Sequence, residues 1–141
     1  SGVDVMSKIL ILARDSGTRL ELHDIENDSF LPKSSLAADT VPEFLETLKL
    51  EAAHFNEIYK KAAANNCRLK FVAEFDNGKA KVGLQEISSD HPFYNLDGSD
   101  NIVLFFTDRY PVQPLIIKGA GAGADVTASG LFADIIRIGN N

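Results

Sequence analysis

Asp4 and Lys8 stand four residues apart in a segment whose apolar positions recur at helical spacing, so both side chains leave the same face of one helix turn. A carboxylate beside an ammonium can hold or move protons. The same spacing also makes an ordinary surface ion pair, worth about 0.3 kcal/mol on an exposed helix. A lysine becomes an acid–base catalyst only where burial or a cationic neighbour lowers its pKa. At the other end of the chain, Gly119, Gly121 and Gly123 alternate with alanine, after the apolar run Leu115–Lys118 and before a second apolar-periodic stretch. Glycines at alternate positions let the backbone approach a partner closely and take up positive φ. The free N–H groups of a following helix then suit an anion. Small residues that permit tight helix–strand packing would read the same way.

Other reactive residues lack a pattern. His23, His54 and His91 have no metal-ligand spacing, and no Ser–His–Asp array is visible. His54 reads as a surface or rim residue, and His91 as a cap for the turn at Pro92. The segment Asn95–Asn101 carries an Asp–Gly turn core that leads into the next strand. Cys67 is the only cysteine and reads as a small buried hydrophobe in a reducing, cytoplasmic setting. Neither a membrane span nor a signal peptide is apparent. With 14 basic residues scattered among 20 acidic ones and a net charge of −6, a nucleic-acid surface is excluded. At 141 residues and 45% hydrophobic, the chain suits one ordinary core.

The elements that must position these residues follow from period and punctuation. A helix is predicted from Asp4 to about Ser16, with Met6, Ile9, Leu10 and Ala13 inward and Gly17 as its stop. Residues 19–25 alternate as a short strand, and 27–39 read as a polar loop broken by Pro32. Thr40-Val-Pro-Glu43 is a helix start with a capping box. The stripe Leu45, Leu48, Ala52, Phe55, Tyr59, Ala62 continues that helix for about six turns until Asn65 and Asn66. Strands at 68–75 and 79–87 are joined by the hairpin signal Asp76-Asn77-Gly78. An apolar, interior strand is expected at 101–109, another at 115–118, and a last helix at 126–138. Together these give an α+β fold: a mostly antiparallel sheet of four to five strands with helices on one face, then a C-terminal strand, glycine-rich turn and helix.

The two ends also resemble one family. Gly2-Val-Asp-Val-Met-Ser-Lys8 resembles the Gly-x-Asp-x-x-x-Lys motif that opens a helix in homoserine dehydrogenases, and Lys118–Asp134 resembles the C-terminal segment of that family. The motifs lie in the expected order and separation, and residues 20–26 look most like the bifunctional aspartokinase/homoserine dehydrogenase branch. The resemblance implies an NAD- or NADP-dependent oxidoreductase that interconverts aspartate semialdehyde and homoserine in amino-acid biosynthesis. By resemblance Lys8 is the proton donor, Asp4 holds substrate, and Gly123 lies near the cofactor, with Gly119, Gly121 and Thr127 beside it. No metal ligand is implied. Residues 1–118 correspond to a substrate-binding and dimerisation domain that pairs with a second copy through its sheet. Residues 119–141 would return to a Rossmann domain that these residues do not include, so the chain alone is expected to be inactive. Amphipathic character from the first few residues reads as a chain cut at an element boundary. The competing expectation is a non-catalytic α+β module that binds a small ligand or a partner, since fold does not fix function.

Overall fold

A computed structural model describes residues 2–98 and 100–140. The chain divides into two compact units, Ser1–Tyr94 and Asn95–Asn141. Ser1, at the head of the opening motif, Ser99, within the Asp–Gly turn segment, and Asn141 lie outside the described residues. The α+β class holds. The five described strands form two sheets, one of three strands and one of two, where a single sheet was expected.

In the first unit, helix α1 (Val3–Asp15) buries Met6 and Ala13, with Val5, Ile9 and Leu10 packed around them. It ends on the predicted glycine: Gly17 has φ 93°, its N–H donates to the Arg14 carbonyl at 2.9 Å, and that of Thr18 donates to Ala13 at 3.1 Å. These paired bonds close the last turn and satisfy two carbonyls that would otherwise lack partners. The strand expected at 19–25 is instead a 3₁₀ turn at Leu22–Asp24 followed by β1 (Glu26–Asp28). The Glu21 N–H donates to the Asp24 carboxylate at 2.9 Å, a local bond that competes with extension. The alternation of residues 20–25 carries no trace of that competition.

β2 (Arg68–Asp76) and β3 (Lys79–Ile87) form the predicted hairpin, with Asn77 and Gly78 at φ 48° and 78° as its two-residue turn. β1 runs parallel to β3 on the side away from β2. Phe71, Ala73 and Phe75 of β2 share a face with Ala80 and Val82 of β3 by register, and α1 covers it to make the core.

The predicted six-turn helix breaks at Glu51 into α3 (Val41–Leu50) and α4 (Ala52–Ala64). It starts where expected, with Thr40 Oγ1 accepting from the Glu43 N–H at 3.3 Å. The Glu43 carboxylate, however, accepts from the Asp39 N–H at 3.1 Å instead of from Thr40, so only half of the predicted capping box forms. A short helix, α2 (Lys33–Leu36), occupies part of the predicted loop. Ser34 donates to Glu51 at 3.1 Å, and Thr47 donates to the buried Ser35 at 3.1 Å. The break therefore coincides with long-range bonds that helical periodicity does not encode. The apolar stripe is only partly covered, since Ala62 is buried while Leu45 and Tyr59 are exposed. Phe30 meets Phe55 of α4 and Phe71 of β2 edge-on, at 6.4 and 6.0 Å between centroids. That contact brings α4 to the same face of the sheet as α1.

In the second unit, β4 (Asp100–Thr107) pairs antiparallel with β5 (Tyr110–Ala120) around Asp108-Arg109. β4 has one strand neighbour among the described residues and so is not the interior strand expected from its apolar centre. β5 is longer than predicted because Pro111 and Pro114 fall where the register shifts between Phe105 and Thr107, a bulge that tolerates them. Helix α5 (Ala124–Gly139) follows the glycine-rich turn.

Candidate active site

Gly2 begins α1 at φ 76°, and its carbonyl accepts from the Met6 N–H at 2.9 Å. A Cβ there would lie 3.0 Å from Phe71 Cζ and 3.3 Å from Asn27 Oδ1. The first residue of the Gly-x-Asp-x-x-x-Lys motif therefore lets the helix start sit against β2 and beside β1. That seat fixes where the next two motif residues point. Asp4 Oδ2 and Lys8 Nζ meet at 2.9 Å, with side chains 79% and 56% exposed. Asp4 lies in the first turn, where the helix dipole favours an anion. The expected pair thus forms on the outer face of α1, open to a ligand arriving from solvent.

The glycine-rich turn in the second unit divides by physical role. Gly119 lies in β5 opposite Asn101, and an added Cβ there would meet no atom within 4 Å. At Gly121 an added Cβ would lie 1.5 Å from Asn101 Nδ2, so the Asn101 amide occupies the space a side chain would need. Gly123 is the N-cap of α5 at φ 139°, ψ 152°, a conformation suited to glycine. Its carbonyl accepts from the Thr127 N–H at 3.1 Å, so Thr127 closes the first turn of α5. Gly121 serves packing, whereas a side chain at Gly119 or Gly123 would face open space.

For any cofactor received here the turn carries one restriction. Asp125 stands in the first turn of α5, and its charge opposes a phosphate at those N–H groups. An uncharged polar group, such as a ribose hydroxyl or a carboxamide, suits the turn better than the anion expected from the sequence. Asp4 and Lys8 come together in the first unit, and Gly119, Gly121, Gly123 and Thr127 are neighbours in the second.

Gly2 was legible as the first residue of the opening motif, though its seat against Phe71 was not. Asn101 had no local signal, because it is the strand register that sets it opposite Gly119.

The remaining reactive side chains hold local structure. His91 Nδ1 accepts from the Phe93 N–H at 3.1 Å, the expected turn cap, and exposed His54 lies 3.4 Å from the Phe30 carbonyl. Among the described residues no group of three or more His, Cys, Asp or Glu could hold a metal ion. No helix among them is long and apolar enough to cross a membrane.

These features define an α+β chain of two units, one showing a carboxylate–ammonium pair and the other a glycine-rich turn ahead of a helix. Residues 1–136 match the family described as Homoserine dehydrogenase, and the chain belongs to that family. It is similar to a Zea mays protein named bifunctional aspartokinase/homoserine dehydrogenase 2, chloroplastic, with 43% identity over 98% of this chain and 15% of that protein. It is also similar to the Saccharomyces cerevisiae homoserine dehydrogenase, at 37% identity over 98% of this chain and 39% of the yeast protein. A crystal structure of a Candida auris protein of unknown function superposes with a TM-score of 0.87 and 42% identity, covering 99% of this chain and 40% of that one. The chain thus spans well under half the length of these relatives.

Proposed function

We propose that these residues form the substrate-handling part of an NAD- or NADP-dependent homoserine dehydrogenase that interconverts L-aspartate 4-semialdehyde and L-homoserine. The observation that carries this reading is the Asp4–Lys8 pair, at 2.9 Å on an open helix face, in a chain of this family. A bound nicotinamide supplies or accepts the hydride at the substrate carbon. In the reducing direction that transfer leaves negative charge on the carbonyl oxygen. The Lys8 ammonium stabilises this charge and donates its proton to it, so the aldehyde becomes an alcohol. The burial that role requires comes from bound substrate and the nucleotide-binding domain, since Lys8 itself is 56% exposed. Asp4 accepts hydrogen bonds from the substrate and keeps the Lys8 ammonium in place. Gly119, Gly121, Gly123 and Thr127 form the turn that receives the cofactor, and Gly119 provides the room.

On this reading the catalytic unit also needs a nucleotide-binding domain, which agrees with the small share of each relative that the chain covers. The 141-residue polypeptide alone is then inactive. A homodimer through the sheet is supported by β2, a nine-residue strand at the edge of its sheet among the described residues. A reducing compartment such as the cytoplasm suits Cys67, a free thiol.

The test follows homoserine-dependent reduction of NAD or NADP by the full-length protein and by its Lys8→Met variant. Loss of a positioned general acid is expected to lower kcat by roughly 10²- to 10⁴-fold. The thermal midpoint should hold, because an exposed i,i+4 pair contributes only about 0.3 kcal/mol. A variant that retains turnover would remove Lys8 from the chemistry.

A further inference from the structure

We infer that Asn101 is a positioning residue for the cofactor turn, acting through Gly121. This rests on the reading that the turn receives the nicotinamide cofactor. Asn101 lies near the start of β4, opposite Gly119, and its side chain extends past the end of the ladder to the turn. An added Cβ at Gly121 would lie 1.5 Å from its Nδ2, 2.4 Å from its Cγ and 3.2 Å from its Cβ. The amide therefore fills the place a side chain at position 121 would take, and lies directly against the turn backbone.

Three constraints then fix the path from β5 into α5. Asp100 and Lys118 pair at 3.4 Å across the open end of the hairpin. One residue further, the Asn101 amide bears on Gly121. Gly123 then sets the entry to α5 at φ 139°, and the Thr127 N–H donates to its carbonyl. Between Ala120, the last strand residue, and Ala124, the first helical one, only three residues remain. With so short a connection, displacement at Gly121 changes where the open side of Gly119 and the first N–H groups of α5 point. Asn101 need not touch the ligand to govern its binding.

The contact also explains why position 121 is glycine. An alanine there would push the amide aside, so Gly121→Ala acts by displacing Asn101. Shortening Asn101 to alanine removes the two nearest obstructions to the new Cβ and leaves the Cβ of residue 101 at 3.2 Å, which a shift of a few tenths of an ångström relieves. The two substitutions should therefore not add.

The experiment uses the full-length protein and measures KM for NADP or NAD, KM for homoserine, kcat and thermal midpoint. The variants are Asn101→Ala, Gly121→Ala, their double variant, Asn101→Asp and Gly119→Ala. Asn101→Ala is expected to raise cofactor KM roughly tenfold, within the range that coupled contacts show, while kcat at saturating cofactor holds. Gly121→Ala should do the same, and the double variant should be no worse than either. Asn101→Asp keeps the shape but exchanges the Nδ2 donor for a charged oxygen against the turn, so it should raise cofactor KM at least as much as Asn101→Ala. If Asn101→Ala does not fold, Asn101→Ser replaces it in the same comparison. Effects that multiply in the double variant, or an Asn101→Ala protein with unchanged cofactor KM, would overturn the inference. Gly119→Ala separates the two failures. If it raises cofactor KM while Asn101→Ala does not, the turn binds cofactor without help from Asn101. If no variant moves cofactor KM, the cofactor reading of the turn fails and the inference falls with it.

Discussion

At Gly123 the backbone stands at φ 139° and ψ 152°, while at Gly119 it is an ordinary strand residue with open space where a Cβ would go. The same substitution should therefore read differently at the two sites. Gly123→Ala forces an L-residue into a region it rarely enters, at a cost of about 1–3 kcal/mol. Gly119→Ala meets nothing and restricts the unfolded chain, which gives no loss or a gain of up to about 1 kcal/mol. Thermal midpoints of the two full-length variants check this, and equal losses at both sites would refute the division of roles. Their local signals differed too. The Asp4–Lys8 contact was legible because four-residue spacing on a helix is a local property. The turn at Asn77-Gly78 was legible for the same reason. The individual roles of the three alternating glycines were not, since a glycine carries no side-chain pattern and its reason lies in what approaches it.

Between elements, α4 is tied to β3 through Glu86. Asn65 Nδ2 donates to one carboxylate oxygen at 3.0 Å, and Lys61 Nζ lies 3.2 Å from the other. The Asn65 hydrogen bond first, then the Lys61 hydrogen bond and charge, hold the carboxyl below its usual value of 4.5. A depressed folded pKa means that the contribution is complete above the unfolded value and fades as pH falls through the folded one. The stability gap between wild type and Glu86→Gln should thus be constant near neutrality and close below pH 4.5. Thermal midpoints of the pair across an acid series measure it, and a gap that widens on acidification would reverse the sign. The sequence placed α4 and β3 but not this link, because residues 61, 65 and 86 share no local period. The break at Glu51 escaped for a related reason. No proline or glycine marks it, and its hydrogen-bond partner Ser34 comes from another helix.

Taken as a whole molecule, the chain leaves its last helix without a buried residue. Leu131, Phe132, Ile135 and Ile138 of α5 are 62–75% exposed, and Val126 and Ile136 are also exposed. An apolar face of that extent marks a surface made to be covered. Its period was legible in the sequence, which is why a helix was expected there, but a period shows only that one face is apolar. On the proposed reading, the cover in the complete enzyme is the nucleotide-binding domain. The 141-residue polypeptide expressed alone should then bind an environment-sensitive hydrophobic dye and grow in apparent mass with concentration. Replacing Leu131 and Ile135 by serine should reduce both signals. In the full-length protein dye binding should be low, and the same double substitution should raise it by weakening the covered contact. If α5 instead normally faces solvent, dye binding by the full-length protein would match that of the polypeptide and fall on substitution in both. The sign of the change in the full-length protein therefore decides whether α5 is an interface of the enzyme or a free surface.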